Sequence, residues 1–337
     1  MKIEKNSGHY DVINWLKGFS ILTIVLMHLM QFMNLPSMIS KAASLGGTGV
    51  HVFFFCSGFG LYLSQYRNPL HYSAFIKKRF WKVYIPYVFI VCLIAMIPFS
   101  FVGDISERWI ALLSHIFLFK MFVPSLEESF AYSLWYMSTI FQFYFLFIPL
   151  CGVKRKVGNK PFLILCCSCS VIWWIFTALT GIATERIWGS FFLQYLWEFA
   201  IGMCIAESLE QGGRIVVKYS RILFIILVGL LLGGFLGYKG GIYKAFNDCF
   251  IASGYLFLAL LVFDVMPFTK RIFRAISSVS YEWYLVHVTC FLCVFEIAKN
   301  WRISEMIVAI LSFFISILVA IIFHGVFDKW IYNKRAV

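Results

Sequence analysis

Apolar runs close to 20 residues long recur from one end of this chain to the other. A helix rises about 1.5 Å per residue, so each run is long enough to cross a hydrocarbon layer of ~30 Å. We read such spans at 12–33, 47–66, 82–103, 131–150, 161–180, 189–208, 220–238, 246–264, 276–297 and 304–327. Backbone in lipid must satisfy its own hydrogen bonds, which leaves helices or a closed barrel. A barrel announces itself by alternating segments of ~10 residues, and the sequence has none. The expected fold is an all-α polytopic membrane protein, a bundle of about ten transmembrane helices forming a single domain over 1–337. With 61% hydrophobic and only 13% charged residues, against ~25% charged in soluble domains, the chain lacks the polar surface for a soluble fold.

The formal charge of +13 invites a nucleic-acid reading, but its distribution argues against one. With the N-terminus placed in the cytoplasm, 20 of the 29 lysines and arginines fall in inner loops and flanks, 8 fall outside, and Lys17 lies within a span. That asymmetry is the positive-inside pattern. It predicts a multi-pass protein of the inner (plasma) membrane with both termini cytoplasmic, in contact with membrane lipid and not with nucleic acid. The first apolar run is full length and lacks a small-residue cleavage site, so a retained span is expected there. The longest stretch between spans, 104–130, holds the apolar run Trp109–Phe119, too short to cross and expected as a re-entrant or interfacial helix.

Nine of the ten cysteines lie in these spans and Cys151 at a span end. Cys166, Cys167 and Cys169 lack the pair spacing of zinc sites and a nearby histidine, so no metal site is expected and the thiols read as buried packing groups.

Polar groups inside lipid are costly and mark function by default. The first span carries Asn14, Lys17, Ser20, His28 and Gln31. At about 100° per residue, Lys17 and His28 differ by only about 20° around the helix and by about 16 Å along it, and the other three fall within about 60° of them. One polar seam is therefore expected on an otherwise apolar helix. A cation at the inner mouth suits a phosphorylated donor, and an imidazole deeper in suits a general base. The bland alternative is a lysine snorkelling to the head groups and a histidine hydrogen-bonded in packing.

Six segments, in order, resemble the integral-membrane acyltransferase-3 family, which O-acylates sugars and other envelope molecules. They are Asp11-Val-Ile-Asn-Trp-Leu-Lys17-Gly-Phe with His28 ten intervening residues beyond Lys17; Gly46-Gly-Thr-Gly-Val-His-Val-Phe-Phe-Phe-Cys-Ser57-Gly58-Phe59; Phe75-Ile-Lys-Lys-Arg79-Phe-Trp-Lys82-Val-Tyr84-Ile-Pro86-Tyr87; Leu134-Trp135 through Ile140, Gln142 and Tyr144 to Pro149; Phe199-Ala-Ile-Gly202-Met203; and Ser277 through Tyr281 and Tyr284 to His287. Two departures stand out. Lys17 occupies a position where arginine is commoner, exchanging a bidentate fork for a point charge. Ile140 stands where many members carry a glutamate.

The resemblance implies an O-acyltransferase that uses acyl-CoA, with acetyl-CoA as the expected case, as a co-substrate and no tightly bound cofactor. Its acceptor is a hydroxyl of an envelope polysaccharide or lipid-linked sugar. His28, as the general base or a transient acyl carrier, and Lys17 are then the catalytic candidates. Lys17, Arg79 and Lys82 are the candidates for the donor's phosphates. Ser57, Trp135, Gln142, Tyr144 and His287 are candidates for the acceptor side. Two of these have a structural alternative: Ser57 as a small packing residue beside Gly58 and His287 as an interhelical hydrogen bond. Asp11 is expected either to orient cationic neighbours or to cap the first helix. Glu198 is an intramembrane carboxylate that must be paired or protonated. His51, His71 and His115 are expected at the membrane interface, and His324 is expected beside Asp328. The competing function is a transporter or flippase for a glycan or lipid-linked intermediate, with the polar seam lining its path.

Overall fold

In a computed structural model, which describes residues 2–3, 10–98, 105–127 and 132–332, the apolar runs are helices. In chain order these are α1 (Asp11–Met30), α2 (Ser37–Ser44), α3 (Gly49–Arg67), α4 (Tyr72–Arg79), α5 (Ile85–Ala95), α6 (Ile105–Ile116), α7 (Trp135–Val157), α8 (Asn159–Leu179) and α9 (Arg186–Gly189). They continue with α10 (Phe192–Glu210), α11 (Tyr219–Lys239), α12 (Lys244–Val265), α13 (Thr269–Ser278), α14 (Ser280–Ala298) and α15 (Glu305–Phe327). Among the described residues, nine helical segments are long and apolar enough to cross a membrane, and the only β structure is the antiparallel pair β1 (Lys2–Ile3) and β2 (Ile215–Val216). The chain is an all-α polytopic membrane protein.

The segment read as a span at 82–103 has a different build. A π turn at Phe80–Tyr84 precedes α5, which runs only to Ala95, and residues 99–103 lie outside the described residues. Pro86 sits in the first turn of α5, where its missing N–H costs nothing. The apolar run Trp109–Phe119 is largely α6, with Trp109 outward and Ala111 and Leu112 buried. A single residue, Gly158, joins α7 to α8. Its φ of 81° lies in the left-handed region that glycine enters without a Cβ clash.

The chain falls into two compact units, Met1–Ser20 with Thr48–Tyr72 and Thr139–Ser278, and Ile21–Gly47 with Ser73–Ser138 and Val279–Val337. In the first, α3 packs along α10, and small residues set the approach. A Cβ added at Gly58 would strike the carbonyl of Phe199, and one at Gly202 the carbonyl of Phe55. Aromatic rings fill the rest of this seam. Phe143 of α7 stacks on Phe199 at 4.3 Å, and Phe54 on Tyr195 at 4.4 Å. Helices α11 and α12 approach through Gly229 and Gly254. In the second unit α14 packs on α15, where the buried Trp283 donates its indole N–H to Ser316 at 2.9 Å. That bond satisfies the one polar atom of a large side chain taken out of water.

Candidate active site

In the second unit, α1 delivers His28 and α14 delivers His287 to a shared buried position. Nδ1 of His28 lies 2.9 Å from Nε2 of His287. The rings are tilted 40° to each other at a centroid distance of 5.0 Å. Nδ1 of His287 is 2.9 Å from two main-chain oxygens of its own helix, those of Trp283 and Tyr284. Carbonyl oxygens only accept, so this Nδ1 carries a proton and donates it in a bifurcated bond. In the neutral ring Nε2 then bears the lone pair, and His28 donates to it through Nδ1. The proton assignment follows from the network, and it leaves the basic lone pair of neutral His28 on Nε2. That is the protonation state a general base requires.

The surroundings hold these rings in place. Tyr132 meets the His28 ring edge-on at 5.8 Å and donates its hydroxyl to Gln31 Oε1 at 3.0 Å, just beyond the end of α1. Tyr284 donates to the carbonyl of Ser133 at 2.8 Å, and Tyr136 packs edge-on against it. Phe291 closes on His287 at 5.9 Å. Two histidines 259 residues apart in sequence are thus brought into direct contact.

The other candidates are distributed between the units. Lys17 is half-buried in the first, with its charge within reach of Cys56 on α3. Asp11 pairs with Arg274 of α13 at 2.5 Å, so of its two expected roles the one seen is an ion pair. Arg79 ends α4 in the second unit, half-buried, with its guanidinium 5.2 Å from the Phe75 ring centroid. Lys82 is exposed on the π turn. Ser57 is half-buried beside Gly58, at the closest approach of α3 to α10. Trp135 begins α7, half-buried, and Tyr144 is buried further along it against Phe141. Gln142 faces inside the first unit and accepts the Phe192 backbone N–H at 3.1 Å. It thereby satisfies one of the open donors at the start of α10.

Three histidines depart from their expected positions. His51 and His115, expected at the interface, are buried, because each has a buried partner inside its own unit. His115 is bonded to the Tyr87 hydroxyl at 3.0 Å. His51 places Nδ1 3.1 Å from Glu198 and Nε2 3.8 Å from Asp248, which also accepts from Gln194 at 2.8 Å. His324 pairs with Glu282 at 3.3 Å, where Asp328 had been expected. His71 is exposed between α3 and α4. Sequence reasoning missed the His51–Glu198–Asp248 constellation as a unit. The four-residue spacing of Gln194 and Glu198, which puts both on one face of α10, was the available signal. Among the described residues no group of three or more histidine, cysteine or acidic side chains is arranged to hold a metal ion.

Comparison with known proteins adds the family. A profile of the acyltransferase-3 type, described as an acyltransferase domain, matches residues 10–325. The chain belongs to that family and is a membrane acyltransferase. No curated protein and no solved structure matches it.

Proposed function

We propose that this protein transfers an acyl group, acetyl in the simplest case, from acyl-CoA to a hydroxyl of an envelope polysaccharide or lipid-linked sugar. The observation that carries the proposal is the His28–His287 hydrogen bond, which puts the lone pair of neutral His28 on Nε2. The acceptor hydroxyl gives its proton to that nitrogen as its oxygen attacks the thioester carbonyl. A new C–O bond forms, the C–S bond breaks, and the proton passes from His28 to the departing CoA thiolate. No cofactor is consumed. His287 is the positioning residue, and Lys17, Arg79 and Lys82 are the cations assigned to the donor's phosphates. The protein works in the inner membrane with both termini cytoplasmic, the orientation that places its basic loops inside.

The test is purified protein in detergent with radiolabelled acetyl-CoA. Donor turnover that disappears in His28→Ala, while the variant keeps the wild-type unfolding temperature, supports the proposal. Intact donor in the wild type, together with glycan movement in vesicles, would establish the transporter reading instead.

A further inference from the structure

The His51–Glu198 pair lines one end of a cavity of about 250 Å³ that lies wholly within the first unit. Its walls come from α3, α10, α12 and the start of α1. On α10 the lining begins at Trp197 and Glu198 and continues through Ile201 and Ile205 to Leu209, a helical face covering about 16 Å from Glu198 onward. The stripe on α3 runs from His51 through Phe55 to Phe59, and that on α12 from Ser253 through Leu256 to Leu260. Each stripe carries its polar residue (His51, Glu198 or Ser253) in its first turn and is apolar beyond it. The far end is lined by Leu209, Ile215 and Val217. The space is therefore a long, narrow slot, apolar along its length and polar at one end only.

We propose that this slot binds the acyl chain of a bilayer phospholipid, with the chain's ester end against His51 and Glu198 and its methyl end toward Leu209 and Val217. A partly open apolar slot of this size leaves its lining without contacts until it is filled, so an apolar occupant is favoured. The slot is elongated, as an extended alkyl chain is, and offers a hydrophilic ligand no partner beyond its first turn. The surrounding bilayer supplies such chains at high local concentration. The polar end is fixed in place: Glu198 engages His51 at 3.1 Å, and Asp248, on the other edge of the ring, is held by Gln194. Polar groups set at that end suit the ester of a glycerolipid. This site is independent of the acyl-transfer chemistry of His28.

The experiment uses the full-length protein in phosphatidylethanolamine vesicles doped with phospholipid carrying a diazirine in one acyl chain, placed either near the ester or at the chain end. After irradiation, adducts are mapped by mass spectrometry. Near-ester probes are expected to label Trp197 or Ser253, and chain-end probes Leu209 or Val217, in addition to outward residues of α15 such as Phe314 and Leu318. Ala252→Phe, which fills the slot, is expected to cut slot adducts at least tenfold and leave those on α15 unchanged. Should that variant misfold, Ile205→Trp serves the same purpose. The proposal is overturned by slot adducts that persist in the filled variants, by labelling of α15 alone in the wild type, or by near-ester and chain-end probes marking reversed positions. A diazirine-bearing polyprenyl phosphate that displaces the phospholipid from the slot would also overturn it, by assigning the slot to an isoprenoid chain.

Discussion

Gly58 of α3 lies against the main chain of Phe199 on α10 with no room for a methyl group between them. Gly202 meets Phe55 in the same way, whereas Gly60, two residues further along α3, has open space beside it. Alanine at position 58 or 202 is therefore expected to destabilise the first unit by about 1–3 kcal/mol through overpacking. Gly60→Ala is expected to be neutral or slightly stabilising, since alanine is the better helix former. Thermal unfolding in detergent distinguishes these outcomes, and equal effects at all three positions would contradict the close helix approach.

His28 and His287 are expected to fail differently. Removing the base in His28→Ala should lower kcat by a factor on the order of 10²–10⁴. His287→Ala should lower it by about ten- to hundredfold, the kinetic equivalent of the ~1–3 kcal/mol lost when a buried donor is left unpaired. Because His287 acts through His28, its loss should also displace the pH profile of kcat while leaving KM for the donor unchanged. His287→Gln, which keeps a donor and an acceptor, should recover part of the rate. A His287 variant with reduced stability and an unaltered pH profile would reduce the contact to packing.

The His51–Glu198 pair predicts a non-additive pattern. Breaking a buried pair from one side costs about 3–5 kcal/mol, because the remaining group is stranded. Glu198→Leu and His51→Leu should each lower the unfolding temperature sharply, and the double variant should recover much of the loss. Simple additivity of the two single effects would show that the groups do not depend on each other.

Gln142, a candidate for the acceptor side, holds the first turn of α10 through its side-chain oxygen. Gln142→Leu should therefore cost about 0.5–2 kcal/mol of stability, as the loss of a helix cap does. KM for both substrates should stay at wild-type values in steady-state kinetics. A selective rise in acceptor KM would instead support the binding role.

The helical, membrane-spanning character was legible because lipid permits few solutions, and run length alone selects among them. His28 could be singled out for the same reason, since a polar residue within an apolar run is an exception. The partner of His28 was not, because helical periodicity relates positions on one helix and says nothing about which residue of a distant helix faces them. Lys154 shows a second limit. Counted by position it is one more basic flank, yet it is buried, 2.5 Å from Glu207 and 4.1 Å above the Tyr62 ring centroid. Charge counting measures where a cation falls along the chain and cannot reveal an acidic partner on α10. The π turn before α5 likewise leaves no trace in hydropathy, because an extra residue per turn changes register and not composition.

The bifurcated bond from His287 to Trp283 and Tyr284 ends on main-chain oxygens, and every amino acid carries one. Side chains at 283 and 284 can therefore be exchanged, provided the helix survives, without reassigning which nitrogen of the imidazole holds hydrogen. The orientation of the pair is inherited from the helical backbone itself, so relatives of this protein can drift widely around the two histidines and still present the same face of His28 to whatever they acylate.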